Sequence, residues 1–180
     1  MSRTEDTPQF IPVNIAVLTV SDTRSLDQDK SGQVLVDRIA AAGHILADRM
    51  MLRDERGEIA GQLRRWIGDP GIDVILTTGG TGLTGRDVTV EAHRDVYEKE
   101  IEAFSTIFTL ISMEKIGTSA VQSRATGGVA GGTYLFALPG SPGACKDAWD
   151  GILVKQLDYR HGPCNFVEIM PRLDEHKRRK

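Results

Sequence analysis

The hydrophobic pattern of this chain switches repeatedly between runs that suit a strand and stripes that suit a helix. Val13–Val20 (VNIAVLTV) is apolar and β-branched and is followed by polar Ser21-Asp22-Thr23, which predicts a buried strand. Ser31 is placed to cap a helix running to about Ala42, with Leu35, Ile39 and Ala42 on one face and Gly43 as its stop. His44–Leu52 reads as a second strand. Ile59, Leu63, Trp66 and Ile67 then form one helical stripe that Asp69-Pro70-Gly71 ends. Ile72–Thr77 (IDVILT) is a short apolar third strand, and Thr133–Leu138 (TYLFAL) is another. The last helix runs from Ser141 to about Leu157, with Ser141 as N-cap and Pro142 at its first position. Its inner face carries Trp149, Ile152, Leu153 and Gln156. Apolar strands alternating with amphipathic helices predict α/β architecture, a parallel sheet covered on both faces.

One helix does not fit a single stripe. Ile101, Phe104, Phe108 and Ile111 share a face, but Ile107 and Leu110 lie off it. Such a helix is buried deeply or against another subunit, and the expectation is a subunit contact. The segment Ala125–Cys145 is uncharged, yet its many glycines and prolines exclude a bilayer helix. It reads as loop, strand and loop.

Composition narrows the functions open to the chain. Its 180 residues suit one domain: residues 1–12 as a loose lead-in, 13–170 as the domain and 171–180 as a basic, solvated tail. With 22 Lys+Arg against 25 Asp+Glu, it lacks the basic excess of a general nucleic-acid binder. Cys145 and Cys164 are too few for a disulfide framework, and the four His have no ligand spacing, so no structural metal site is expected. No signal-peptide core is visible at the start, which points to a cytoplasmic protein without membrane contact.

The chemistry concentrates after the third strand, in Thr78–Asp87. From Gly80, GTGLTG matches the dinucleotide pattern G-x-G-x-x-G, but it follows the third strand, and Glu102 lies in a helical stretch instead of at a strand end. No Lys follows, so it is not a phosphate loop of the G-x-x-x-x-G-K kind. A nucleotide-dependent oxidoreductase therefore fits poorly. Two readings remain for the turn alone: a tight turn closed by an Arg86–Asp87 surface pair, or a nest. In a nest, Gly79, Gly80 and Gly82 turn N–H groups toward an anion and Thr81 adds a hydroxyl. Three more loops follow strands: Ser21-Asp22, Arg53-Asp54-Glu55, and Pro139–Gly143 at a helix start. Open α/β sheets bind ligands at strand carboxyl ends, and a helix N-terminus favours anions. These loops can share one crevice in which Asp54 and Asp87 hold Mg²⁺ against phosphate oxygens.

The motif TTGGTG-x-x-x-RD-V-T-x-E-A, Thr77 to Ala92, resembles the signature of the molybdopterin-binding family of molybdenum cofactor synthesis. SDTRS from Ser21, Ser123-Arg124 and LPGSPGA from Leu138 match the same family in order. QLDYRHGPCNF, Gln156 to Phe166, resembles the ending of its protein B branch, and the likeness spans about residues 12–170. The resemblance implies a three-layer α/β/α fold around a mostly parallel sheet, and assembly as trimers or hexamers. It implies binding of molybdopterin and adenylylation of its terminal phosphate with MgATP, releasing pyrophosphate; the alternative is a carrier that binds the pterin without turnover. Asp54 and Asp87 match the family's acids and would orient Mg²⁺ and the triphosphate. Gly79, Gly80, Thr81 and Gly82 would cradle one bound group and Gly140 and Ser141 another, with Arg124 as a phosphate cation. Ser21, Asp22, Arg86, Glu91 and Ser123 complete the implied binding set, and other proteins of the pathway are implied partners. Val90 departs from the pattern, since many relatives carry Pro there.

Overall fold

In the computed structural model, which describes residues 8–178, six strands form one sheet in the order β2-β1-β3-β6-β5-β4. β1 (Asn14–Val20) lies between β2 (Ile45–Leu52) and β3 (Val74–Thr78), and β6 (Thr133–Leu138) pairs with β3, all in parallel. β5 (Thr126–Ala130) runs antiparallel to β6 and to the two-residue β4 (Lys99–Glu100).

The strand residues alternate between two cores, as a period of two requires. Ile15, Val17, Val74, Leu76, Tyr134 and Phe136 face α1 (Lys30–Ala41), α4 (Glu102–Ile116) and α5 (Pro142–Ala148), meeting Leu35, Ile39, Phe104, Phe108 and Ala148. Ala16, Leu18, Ile75 and Leu135 face α2 (Arg56–Ile67) and α3 (Thr89–Arg94), meeting Ile59, Leu63, Trp66 and Ala92. Each large apolar side chain buried there is worth roughly 1.5–3 kcal/mol, so the two layers hold the sheet and leave its carboxyl edge free for loops. The architecture is the expected three-layer α/β/α sandwich.

Several expectations change in detail. Asp29, not Ser31, caps α1: its carboxylate accepts from Gly32 N at 2.8 Å and from Thr19 Oγ1 at 2.7 Å. Burial opposes its ionisation, but these bonds and Arg49 hold its carboxyl below the usual range. β2 is an edge strand whose first half is exposed, so the sheet is not covered on both faces there. The glycine-rich segment before β6 contains β5, where a loop is expected. The last helix begins as expected, with Ser141 Oγ accepting from Ala144 N at 3.1 Å. It then passes through a π-helical turn, Trp149–Leu153, into α6 (Val154–Gln156). On α4, Phe104 and Phe108 are buried, while Ile107 and Leu110 are exposed in the single chain. In the described part of the tail, α7 (Glu175–Arg178) is exposed and Lys177 forms an ion pair with Glu98. The first seven residues of the expected lead-in, and the last two of the tail, lie outside the described residues.

Candidate functional site

The chain after β1 turns to β2 on one side, and β3 pairs with β1 on the other, so a crevice opens between the carboxyl ends of β1 and β3. Register brings the four loops level there. Thr19 pairs with Thr78, and Thr78 pairs with Leu138. Thr78 Oγ1 donates to Pro139 O at 3.0 Å, joining the ends of β3 and β6.

Gly79 and Gly80 have φ of 100° and 64°, a region where a side chain is strained. Space forbids one as well. A Cβ on Gly79 would lie 2.1 Å from Val20 O, and one on Gly80 2.4 Å from both Asp54 Oδ1 and Thr89 Oγ1. Gly140 packs backbone to backbone on Gly79, its Cβ position 3.0 Å from that Cα. The turn is therefore wedged between the end of β1, the Asp54 loop and the start of α5.

Asp54 is the electrostatic centre of the acidic half. Its N–H donates to Asp22 Oδ1 at 3.1 Å. Burial, followed by the neighbouring Asp22 and Asp87 carboxylates, pushes the Asp54 carboxyl above the usual range. Asp22 is drawn the other way, chiefly by Arg86, whose guanidinium bonds its two oxygens at 3.0 and 3.1 Å. Arg86 also reaches Glu55 at 3.1 Å, so it ties the loops after β1, β2 and β3 together and does not close its own turn onto Asp87. Asp87 accepts from Thr84 N at 2.9 Å and Thr84 Oγ1 at 2.7 Å. Burial opposes its ionisation, yet those bonds hold the carboxyl below the usual range.

Behind the turn, Arg124 acts as a clasp. Nε donates to Thr81 O at 2.9 Å and Gly82 O at 3.1 Å, and Nη1 pairs with Glu91 Oε1 at 2.5 Å. Glu91 therefore serves Arg124, and buried Thr81 turns its carbonyl to the same guanidinium. Ser21 Oγ accepts from Thr23 N and Arg24 N, shaping the loop after β1. Ser123 and Ser141 stand apart from the acids, on a pocket of about 160 Å³ between α4 and α5. A cavity of about 590 Å³ opens at the opposite, amino end of the sheet, between Pro12, Asp73 and Asp174, and touches none of the expected site residues.

A hard cation fits the acidic half through its donor chemistry, since Asp54 is buried beside two carboxylates and, among the described residues, makes no ion pair, Arg86 only partly offsetting the negative charge around it. Among the described residues no group of three His, Cys, Asp or Glu side chains is placed to hold a metal ion, so at most two carboxylates would contribute and phosphate oxygens and water would supply the other ligands, as Mg²⁺ prefers. Sequence reasoning missed Thr89, a fully buried hydroxyl without a partner beside Gly80. Its place in the R-D-V-T run was the available signal. Lys115, Ser112 and Asp147, which line the smaller pocket, carried none.

Residues 16–159 match the family model described as "probable molybdopterin binding domain". The chain is 46% identical over 158 residues to molybdenum cofactor biosynthesis protein B of Escherichia coli (strain K12), covering 88% of this chain and 93% of that protein. It is 43% identical over 148 residues to the protein of that name from Halalkalibacterium halodurans, covering 82% and 87%. A crystal structure of a molybdenum cofactor biosynthesis protein B superposes with a TM-score of 0.82 at 35% identity, covering 92% of this chain and 98% of that one. The tungsten cofactor synthesizing protein MoaB of Pyrococcus furiosus superposes with 0.71 at 32% identity, covering 80% and 92%. With this fold, this crevice and relatives of this identity across nearly its whole length, the chain belongs to the molybdopterin-binding family of molybdenum cofactor biosynthesis proteins, in the protein B group.

Proposed function

We propose that this protein binds molybdopterin in the crevice at the carboxyl ends of β1, β3 and β6 and adenylylates its terminal phosphate with MgATP. The observation that supports this most is Asp54 held against Gly80, with the Asp22 and Asp87 carboxylates near enough to raise its pKa, Asp87 packed on Gly82 and Gly140 packed on Gly79. The terminal phosphate oxygen of molybdopterin attacks the α-phosphorus of ATP. A new P–O bond forms as the bond to the bridging oxygen breaks, and pyrophosphate leaves with that electron pair. Little proton transfer is needed, so positioning and charge neutralisation carry the reaction. The N–H of Gly79 is spent on Leu138 O and that of Gly82 on the Asp87 carboxylate, so within this turn the N–H groups of Gly80 and Thr81 are the ones that would face phosphate oxygens, which corrects the expected three-glycine nest. Arg86 and Arg124 are already paired with acids, so neither is free to neutralise a triphosphate; they hold the loops in place. Asp54 and Asp87 would hold Mg²⁺, which supplies that neutralisation when bound.

The reading takes the protein as cytoplasmic; no described helix is long and apolar enough to cross a membrane. It also takes the protein as a homo-oligomer, trimer or hexamer, supported by Ile107, Leu110, Met113 and Ile116, all at least 45% exposed on α4 of the single chain. Incubation with molybdopterin and MgATP tests the chemistry. Pyrophosphate and adenylylated pterin are expected, and Asp87→Ala should lower turnover by about two orders of magnitude, the scale of one lost electrostatic element. Tight pterin binding without pyrophosphate would assign a carrier instead, and absence of both would refute the proposal.

A further inference from the structure

Resting on that reading, we infer that the pocket between α4 and α5 takes the pyrimidine ring of the ligand edge-on, with Asp147 and Lys115 reading its 2-amino-4-oxo edge. The pocket holds about 160 Å³. A cavity of about 150 Å³ accepts one six-membered ring, so this one admits one ring of a bicycle and leaves the other outside. Its walls are apolar on both sides, from Phe108 and Ile116 on α4 and from Pro139 and Ala144 at the start of the last helix. Such walls suit the faces of a flat heteroaromatic ring. Pro139 and Ser141 line it, Pro139 O accepts from Thr78 Oγ1 at the end of β3 and the intervening Gly140 packs on Gly79, so the pocket adjoins the Gly79–Gly82 turn.

The polar groups in the pocket are unspent. Lys115 Nζ and Asp147 Oδ1 lie 3.6 Å apart, an ion pair too long for a hydrogen bond. Among the described residues neither group makes a side-chain hydrogen bond, and the same holds for the hydroxyl of Ser112, which is 5% exposed and lines the pocket between them. A carboxylate accepts two parallel N–H bonds, and an ammonium donates to a carbonyl. The edge that matches carries an amine, a ring N–H and a carbonyl in a row. Pterins have it, as does guanine. Adenine presents an amine beside a bare ring nitrogen, whose lone pair would face the Asp147 carboxylate. The pocket therefore separates the pterin from the adenine of the co-substrate, which would share the crevice with it.

Fluorescence titration of the full chain with free pterin tests this, with lumazine, GMP and AMP as parallel arms. Lumazine replaces the 2-amino group by a carbonyl. Pterin should bind saturably, and lumazine and AMP about ten- to a hundred-fold more weakly, the scale of a lost charge-assisted hydrogen bond. Asp147→Asn should weaken pterin by a similar factor, and circular dichroism should show its fold intact. Lys115→Met, on the other side of the pair, should weaken pterin with Asp147 in place. Equal binding of pterin and lumazine, or wild-type pterin affinity in both variants, would overturn the inference. GMP, whose guanine carries the same edge, should bind close to pterin, and GMP as weak as AMP would overturn the inference too. Failure of this inference and of the parent reading separate cleanly. A protein that binds molybdopterin equally well with and without Asp147 loses only the pocket assignment, whereas one that binds no molybdopterin loses the parent.

Discussion

Substituting alanine at three glycines should give three different outcomes, set by what the added methyl meets. At Gly143, in the first turn of α5, the Cβ position has nothing within 4 Å. Gly143→Ala should stabilise by about 0.4–1 kcal/mol through lost chain entropy in the unfolded state. At Gly80 the methyl would lie 2.4 Å from Asp54 Oδ1 and from Thr89 Oγ1, at a φ of 64°. The left-handed backbone alone costs about 1–2 kcal/mol. The two side chains must also swing away, which brings the loss to roughly 2–4 kcal/mol, the upper range for a single substitution. At Gly79 the methyl would meet Val20 O at 2.1 Å, and that carbonyl belongs to β1. A strand end cannot swing, and moving the turn would break the Gly79 N–Leu138 O bond of 3.0 Å. Gly79→Ala should cost more than Gly80→Ala. Urea unfolding followed by the fluorescence of Trp66 and Trp149 measures all three, and each kcal/mol should move Tm by about 2–4 °C in a chain of this size. A Gly79→Ala variant as stable as Gly143→Ala would mean that the turn does not abut β1, and the crevice would have to be redrawn.

Three further outcomes follow from the charges and surfaces. His93 is fully buried, with Nε2 2.8 Å from Thr77 Oγ1, and burial pulls its pKa down to about 3; burial also lowers that of His44. The unfolded chain, with an ordinary pKa of about 6.5, therefore takes up these protons first. Stability should be full above that pH and fall by about 1.4 kcal/mol per pH unit through His93 as the pH drops from 6 to 5, with His44 adding to the loss in the same direction; an unchanged slope in His93→Gln would refute the assignment. Asp54 ionises at a cost in the folded state, because burial and two carboxylates raise its pKa, so that cost is present once the pH rises through the folded value. Asp54→Asn should therefore raise Tm at pH 7 while removing the further rise that Mg²⁺ gives the wild type, as read by differential scanning fluorimetry. Leu110→Glu should convert the assembly to monomers in light scattering at micromolar protein, and a wild-type protein already monomeric there would reject the α4 interface.

The candidate site was legible to the extent that it lies in contiguous motifs. Gly79 to Asp87 and Pro139 to Ser141 each sit where a strand must end, and period-two runs located those ends. The partners of these residues were not legible. Nothing local indicates that Arg86 would bridge Asp22 and Glu55, or that Arg124 would clasp the Thr81 and Gly82 carbonyls from 43 and 42 residues away. The Asp29 cap was hidden for a related reason: Ser31 has the capping residue type, but Thr19 and Arg49 fix the carboxylate of Asp29 across two strands.

Local pattern alone determined the alternation of strand and helix, the two-sided burial of β1, β3 and β6, and the start of the last helix at Ser141-Pro142, because each depends on periodicity or on backbone groups a few residues apart. Tertiary packing decided the rest. β5 exists although Gly127 and Gly128 disfavour a strand, because their missing side chains admit Phe136 at 2.9 Å and Tyr97 at 2.4 Å from the Cβ positions. The acidity of Asp54 and the pairing of Lys115 with Asp147 arise between segments distant in sequence. Such features depend on distances in space, which residue order fixes only once the sheet has assembled.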